Sequence, residues 1–335
     1  MDPLTQGLLG ASFGQALCGR SLGRHALVMG ALVGMAPDLD VIANATGPLA
    51  EWTWHRSVTH SLWFGPVIGP LVGYGLWKWK GGPLRAWMLL AFMALLTHPL
   101  LDLFTTYGTQ LLAPFSSRRF ALDAVAIIDP AYSLLLAGGI VIGLRAGLAT
   151  PVSGRVAWAA LGLSSLYLAL GLAVNERVEV VAREQLRAQG IEASRVAAYP
   201  TLLQLPYRRV VARRGDEVRV GWLSALGPRP IQWEGFTQAH GPLVEAARAT
   251  PEARLFEWFA MGEATPRLEG AGTVVEFDDL RYGFPGRPRD GLWGVRVRLD
   301  AAGRPLGPGE RFDRALPASA PELLGQLWHY TIGAS

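Results

Sequence analysis

The sequence is poor in cysteine throughout and poor in charge over its first half. Cys18 is the single cysteine among 335 residues, which excludes an intramolecular disulfide and a zinc site made of several thiolates. Residues 1–175 contain only seven aspartates and glutamates, whereas residues 176–335 contain 20. The composition therefore predicts a membrane-embedded domain over residues 1–175 and a soluble domain over residues 176–335.

A strongly basic surface is also missing. The net charge is +4, and the 21 Lys and Arg residues of the second half are interleaved with 20 acidic residues. This balance argues against a nucleic-acid partner. The sequence does not identify a protein partner.

Apolar segments in the first half predict a polytopic membrane bundle of about four to six α-helices. They cover residues 3–17, 26–35, 62–79, 86–104, 131–144 and 156–174. Basic residues flank these segments at Lys78, Lys80 and Arg85 and at Arg145 and Arg155, which predicts that both loops are cytoplasmic. The loops between the other segment ends, and the soluble domain, are then expected on the opposite side of the membrane.

The second half predicts a smaller α+β domain. Residues 176–189 have helical composition, and residues 207–211, 217–223 and 294–299 have the pattern of strands. The Arg-Arg-Gly-Asp sequence at residues 213–216 predicts a hairpin turn between the first two strands.

Three aspartates and three histidines interrupt the apolar first half. Ionisable residues are costly in a membrane and are usually retained to bind ions, carry protons or perform chemistry. We predict that all six are metal ligands at a membrane face. They are Asp38, Asp40, His55, His60, His98 and Asp102.

The spacing within two of these motifs favours joint ligation. Pro37 disfavours helix at the residue before it, so Asp38 and Asp40 are expected at a helix break where their side chains can converge. His98 and Asp102 are four residues apart and therefore lie on one face of a helix.

The two remaining histidines are five residues apart, a spacing that would point them about 140° apart on a regular helix. We therefore expect His55 in a loop and His60 in the first turn of the helix that follows. Ser57 and Thr59 are expected to orient an imidazole by hydrogen bonding.

The ligand types narrow the choice of ion. Imidazoles and carboxylates without a thiolate suit Zn, Mn or Fe, whereas Mg and Ca prefer oxygen ligands alone. We expect one or two divalent ions and favour Zn. Such a site would activate water and hold a phosphoryl or acyl oxygen. The general base would be a carboxylate that is not a ligand, and the sequence does not identify it.

Several motifs of the first half resemble those of a known family. They are MDPLTQ at residues 1–6, PDLD at 37–40, HRSVTHS at 55–61, LDLFTTYGTQ at 101–110 and IDP at 128–130. Together they are similar to motifs of the YdjM-like family of membrane-bound, predicted metal-dependent hydrolases. The DLRYG sequence at 279–283 is similar to a motif of longer members. Gln6 stands at a position where many members have His.

The resemblance implies a bacterial inner-membrane protein with a metal site formed by the six residues above, facing the periplasm in the predicted topology. A hydrolase at a membrane face suits a lipid, a lipid-linked phosphodiester or ester, or another amphiphile. The residues predicted to take part in catalysis are Asp38, Asp40, Asp102 and Arg56. The residues predicted to bind an anionic substrate are Arg118, Arg119 and Tyr107.

Two other classes of function stay open from the sequence. Buried carboxylates and histidines can form the ion or proton pathway of a transporter, although no inverted repeat is visible. The first half can also be a non-catalytic anchor with a structural metal, which presents the soluble domain.

Overall fold

A computed structural model describes residues 1–227, 229–315, 322 and 325. The chain divides into two compact units. The first contains Met1–Ala43, Trp54–Leu172 and Leu202–Gln204, and the second contains Asn44–Thr53, Ala173–Thr201 and the described part of residues 205–335. The predicted boundary at residue 175 therefore falls inside a helix, and the end of the predicted soluble domain lies outside the described residues.

Helices form the N-terminal part of the chain. They are α1 (Pro3–Phe13), α2 (Gly19–Leu22), α3 (Arg24–Met35), α4 (Ala50–Trp54), α5 (Phe64–Lys80), α6 (Leu84–Leu103), α7 (Pro130–Ala146) and α8 (Pro151–Ala188). Two of them begin at an aspartate cap followed by proline: Asp2 accepts from the backbone of Thr5, and Asp129 accepts from the backbone of Tyr132.

Three helical stretches are long and apolar enough to cross a membrane: Arg24–Thr46, Leu84–Leu103 and Pro151–Ala188. Pro130–Ala146 is a shorter apolar helix. The first stretch continues from α3 into a 3-10 segment at Ala36–Thr46. Ala36 has helical backbone angles, so the prediction that Pro37 would break the helix at this residue was wrong, and the helix only becomes tighter there.

Close backbone contact fixes α1 against α3. A Cβ atom on Gly10 would lie 2.2 Å from the carbonyl oxygen of Gly30, and a Cβ on Gly30 would lie 2.5 Å from the carbonyl oxygen of Gly10. Only glycine fits at this crossing, as in other helix pairs of membrane proteins. The contact places the start of α1 beside the end of α3, where Asp38 and Asp40 follow.

Two antiparallel sheets form the second unit. The strands are β1 (Arg195–Pro200), β2 (Tyr207–Arg214), β3 (Glu217–Ser224), β4 (Glu234–Thr237), β5 (Ala264–Glu269), β6 (Val274–Asp279), β7 (Trp293–Arg298) and β8 (Glu310–Asp313). They are arranged in the orders β1-β2-β3-β4 and β5-β6-β7-β8. Two short helices, α9 (Pro242–Arg248) and α10 (Pro251–Phe259), lie between the sheets in sequence. A helical part followed by a mixed helix and sheet domain is confirmed, whereas four to six membrane helices are not.

The DLRYG motif lies at the end of β6. Arg281 donates to both oxygens of Asp279 over 2.9 Å and 2.7 Å, and both side chains are buried. Arg209 is also buried and donates to the backbone carbonyls of Leu280 and Pro288. These charges are paired with one another or with backbone carbonyls, so the motif has a structural explanation within the second unit.

Glu276 on β6 accepts hydrogen bonds from three arginines. Arg267, Arg296 and Arg314 donate to it over 2.8 Å, 2.7 Å and 2.9 Å. Burial raises the pKa of Glu276, but these hydrogen bonds outweigh that effect and lower it from 4.5 to about 2. The carboxylate therefore stabilises the folded second unit above pH 4.5, and this contribution is lost as the pH falls toward 2.

When the pH is lowered from 4.5 to about 2, the free energy of unfolding of the second unit should decrease in both the native protein and Glu276→Gln. We expect the decrease to be roughly 2 kcal/mol larger in the native protein. Urea unfolding of the full chain in detergent, followed by pulse proteolysis, measures the difference. Glu310→Gln is the matched control, because Glu310 pairs with Arg298 at an exposed position. Equal acid sensitivity of the native protein and Glu276→Gln would contradict this prediction.

Candidate metal centre

Four side chains from three separate segments converge in the first unit. Asp38 comes from the 3-10 segment after α3, His60 from the short turn Val58–His60, and His98 and Asp102 from one face of α6. Each offers one donor atom, and the four atoms all lie within 4.8 Å of one another. All four side chains are buried.

The donor atoms surround a small volume. The Nε2 atoms of His60 and His98 are 2.9 Å apart. The Oδ1 atom of Asp38 lies 3.3 Å from the first of these nitrogens and 3.4 Å from the second. The Oδ2 atom of Asp102 lies 3.4 Å and 3.6 Å from the same two atoms.

Hydrogen bonds at the far side of each imidazole indicate where its proton lies. Nδ1 of His98 is 2.6 Å from the carbonyl oxygen of Gly34, which can only accept, so this nitrogen is the donor. Nδ1 of His60 faces Oδ2 of Asp40 at 3.2 Å. In the neutral form of each ring, Nε2 then carries a lone pair. Two lone pairs and two carboxylate oxygens facing one another require a positive charge among them.

Asp40 holds His60 from outside this group. Its carboxylate accepts from the hydroxyl of Thr59 over 3.0 Å and from the backbone N–H of Arg56 over 3.1 Å. Its other oxygen lies 2.7 Å from Nδ1 of His55. A carboxylate that binds the outer nitrogen of a histidine is a common support for a metal ligand.

All six predicted ligands thus fall into two groups that share one imidazole. The second group is Asp40, His55 and His60, whose donor atoms also lie within 4.8 Å of one another. Burial lowers the pKa of His60, but its hydrogen bonds to Asp38 and Asp40 raise it by more. The carboxylates around His60 therefore favour positive charge at this ring.

The other oxygen of Asp102 contacts groups that were not all expected from the sequence. The terminal amino group of Met1 and the Nε2 atom of Gln6 both donate to Oδ1, and Arg56 lies 3.3 Å from it. These donors leave Oδ2 directed at the two imidazoles. The Oε1 atom of Gln6 is buried, and it accepts no hydrogen bond within the described part of the chain.

Arg56 occupies a strained backbone position beside the site. Its φ angle is +62°, which is uncommon for a residue with a side chain and is often found at functional sites. The guanidinium group is buried, donates to Thr105 over 2.7 Å and lies 4.8 Å from the centre of the Tyr107 ring.

The residues predicted to bind substrate differ in their surroundings. Arg119 is buried, donates to the carbonyl of Gly108 and lies 5.5 Å from the centre of the Tyr107 ring. Tyr107 is therefore within cation–π distance of two arginines. Arg118 is exposed and lies over the ring of Phe120.

Sequence reasoning did not identify Gly34 and Thr105 as parts of the site. Gly34 contributes only a backbone carbonyl, which has no sequence signal. Thr105 belongs to the LDLFTTYGTQ motif, and its place three residues after Asp102 was the available indication.

The first half of the chain matches a known protein family. Residues 1–178 match the family described as YdjM inner membrane protein. The chain is 37% identical over 98 residues to the inner membrane protein YbcI of Escherichia coli strain K12, covering 28% of this chain and 56% of the relative.

It is also 34% identical over 110 residues to the uncharacterized protein YfhP of Bacillus subtilis strain 168, covering 32% of this chain and 33% of the relative. The alignments thus cover between a third and about half of these relatives. No solved structure matches the chain.

Proposed function

Because the chain belongs to the YdjM inner membrane protein family, we propose that it is a membrane-bound, metal-dependent hydrolase acting at the membrane face. One observation carries the proposal. The buried Nε2 atoms of His60 and His98 face each other and two carboxylate oxygens, with the outer nitrogen of each ring already hydrogen bonded. This donor set fits a divalent cation, and imidazole with carboxylate favours Zn over Mg or Ca.

The ligand assignment follows from the orientation of His60. Its Nε2 atom is directed at Asp38, His98 and Asp102, whereas Nδ1 is directed at Asp40. We assign those three residues and His60 to one ion, and we assign Asp40 and His55 to its support. A bound ion would supply a Lewis acid and an activated water. The second oxygen of Asp38 is buried and has no hydrogen-bond partner within the described residues. Because Asp38 is assigned as a ligand, the general base stays unassigned.

Arg56 is suited to hold an anionic substrate group. Its Nε atom is buried and has no hydrogen-bond partner within residues 1–227 and 229–315. Its contacts with Asp102 and Thr105 keep the guanidinium beside the proposed ion. This guanidinium would stabilise a phosphodiester or ester oxygen as negative charge develops on it.

The surroundings of the ligands favour an amphiphilic or lipid-linked substrate. Leu39 stands between Asp38 and Asp40, and Ile42 follows them on the same 3-10 segment. Both apolar side chains are exposed. Exposed apolar groups next to buried ligands would be in contact with lipid, and they would place an acyl chain beside the site.

The basic loops described above support a multi-pass arrangement in which this site and the second unit face the periplasm. A reporter enzyme fused after Ser335 is then expected to be active only in the periplasm. Activity of the same fusion in the cytoplasm would reverse the proposed orientation.

A structural metal is the second candidate. Four protein donors can occupy all the coordination positions of a tetrahedral ion. Sites that are closed in this way usually stabilise a fold, whereas catalytic sites keep one coordination position open. Activity measurements separate the two candidates.

The direct test is hydrolysis by detergent-purified protein reconstituted with Zn. We expect metal-dependent cleavage of phosphodiester or ester probes that carry an acyl chain, and slower cleavage of the same probes without the chain. Arg56→Lys is expected to keep the metal and lose about 100-fold in kcat, because one ammonium cannot replace the guanidinium fork. Stoichiometric metal without cleavage of any probe would favour the structural candidate.

A further inference from the structure

An apolar groove of about 870 Å³ lies in the first unit between α1, α3 and α7. Its wall is formed by aliphatic and small side chains from all three helices. They include Leu8, Ala31, Met35, Ile140 and Leu144, and Leu148 from the turn after α7 completes the wall. None of the four proposed metal ligands lines this groove, so it is distinct from the metal centre.

The groove extends along α3. Arg24 lines one end of it and Met35 the other, so it is roughly 16 Å long at 1.5 Å per residue. This length is about half the thickness of the hydrocarbon core of a bilayer. It therefore matches the depth of one lipid leaflet.

Charge is present at only one end. Arg24 is the single charged residue in the lining, and it is exposed. Arg20 precedes it by four residues, and Arg145 directly follows the lining residue Leu144; both are also exposed. No acidic residue of the described chain lines the groove. Basic pockets between membrane helices characteristically hold anionic lipid head groups.

We propose that this groove binds one anionic phospholipid. The phosphate lies at Arg24, and one acyl chain follows the groove toward Met35. Two features support this occupant over a second copy of the chain: a positive group occupies one end of an otherwise apolar groove, and the chain belongs to an inner-membrane family. The proposal concerns a site apart from the metal ligands and stands independently of hydrolysis.

Native mass spectrometry of delipidated, detergent-purified full-length protein tests the proposal. The protein is titrated with phosphatidylglycerol and with phosphatidylcholine of the same acyl chains. We expect one tightly bound phosphatidylglycerol per chain. Arg24→Gln should weaken the binding of phosphatidylglycerol about fivefold, because one basic residue near an anionic surface contributes a factor of about this size. The same substitution should leave the binding of phosphatidylcholine unchanged. Val28→Trp should fill the groove and weaken the binding of both lipids.

Matched controls come from the same unit. Arg85→Gln removes an exposed arginine, and Val67→Trp alters a valine that is 61% exposed, compared with 52% for Val28; neither control residue lines the groove. Both controls should bind lipid like the native protein. Equal binding of the two lipids, unaffected by Arg24→Gln, would overturn the proposal. Conversion of a dimer to a monomer by Val28→Trp, without bound lipid, would show that a second copy occupies the groove.

Metal content is measured in every variant of this series. We expect it to stay unchanged, because none of the substituted residues is among the proposed ligands. Loss of lipid binding with intact metal would therefore concern the groove alone, and it would leave the proposed hydrolase unaffected.

Discussion

Substitution of His98 by alanine is expected to reduce bound metal from about one ion per chain to nearly none. The Nδ1 atom of His98 is held by the carbonyl of Gly34, so its Nε2 atom is fixed toward His60 and the two carboxylates. Alanine removes one of the four donors of a buried site. Elemental analysis of detergent-purified protein after dialysis against Zn measures the loss.

Two further variants serve as references for the loss of metal in His98→Ala. Asp40→Asn should keep the four donors but weaken metal binding by about 10- to 100-fold, as expected when the outer hydrogen bond of a ligating histidine is altered. His25→Ala removes an exposed histidine at the start of α3 and should bind metal normally. If His98→Ala binds metal as tightly as the native protein and has a normal gel-filtration profile, His98 is not a metal ligand.

Substitution of Trp52 by alanine is expected to destabilise the second unit by about 3 to 5 kcal/mol. The indole is 0% exposed although it belongs to a short helix far in sequence from the sheets. Its ring centre lies 4.9 Å from that of Phe256 and 5.4 Å from that of Phe259. The guanidinium of Arg311 covers it at 5.0 Å. Alanine would leave a large cavity among these groups.

Trp54 provides a close comparison, because it lies two residues later in the same helix and is 53% exposed. Trp54→Ala should change the free energy of unfolding by less than about 0.5 kcal/mol. Pulse proteolysis of the full chain in urea measures both variants. Similar stability of Trp52→Ala and Trp54→Ala would show that the Trp52 contacts do not stabilise the unit.

Part of the fold could be predicted from local patterns. The hairpin of β2 and β3 follows from the turn sequence at residues 213–216 between two segments with the pattern of strands, and the structure pairs Arg214 with Glu217 across that turn. β6 was not predicted, because Glu276, Asp278 and Asp279 give it the composition of a loop. Arg267 and Arg314, from other segments, pair with Glu276 and Asp278, and such long-range pairing has no local sequence pattern.

The site was predictable to a similar extent. The four-residue spacing predicted that His98 and Asp102 share one face of α6, whereas Asp38 lies in a 3-10 helix and not at the predicted break. The sequence could not predict that Asp38 contacts Nε2 of His60 whereas Asp40 contacts Nδ1. This difference depends on which side of the His60 ring each carboxylate reaches, and therefore on the packing of segments that are distant in sequence.

The central claim is that His60 and His98 share one ion with Asp38 and Asp102. Anomalous diffraction from crystals of the Zn-reconstituted protein tests it most directly. We predict a single anomalous peak about 2.0 to 2.2 Å from the Nε2 atoms of both histidines and from one oxygen of each aspartate. An empty site between the two imidazoles in Zn-saturated crystals would contradict the account.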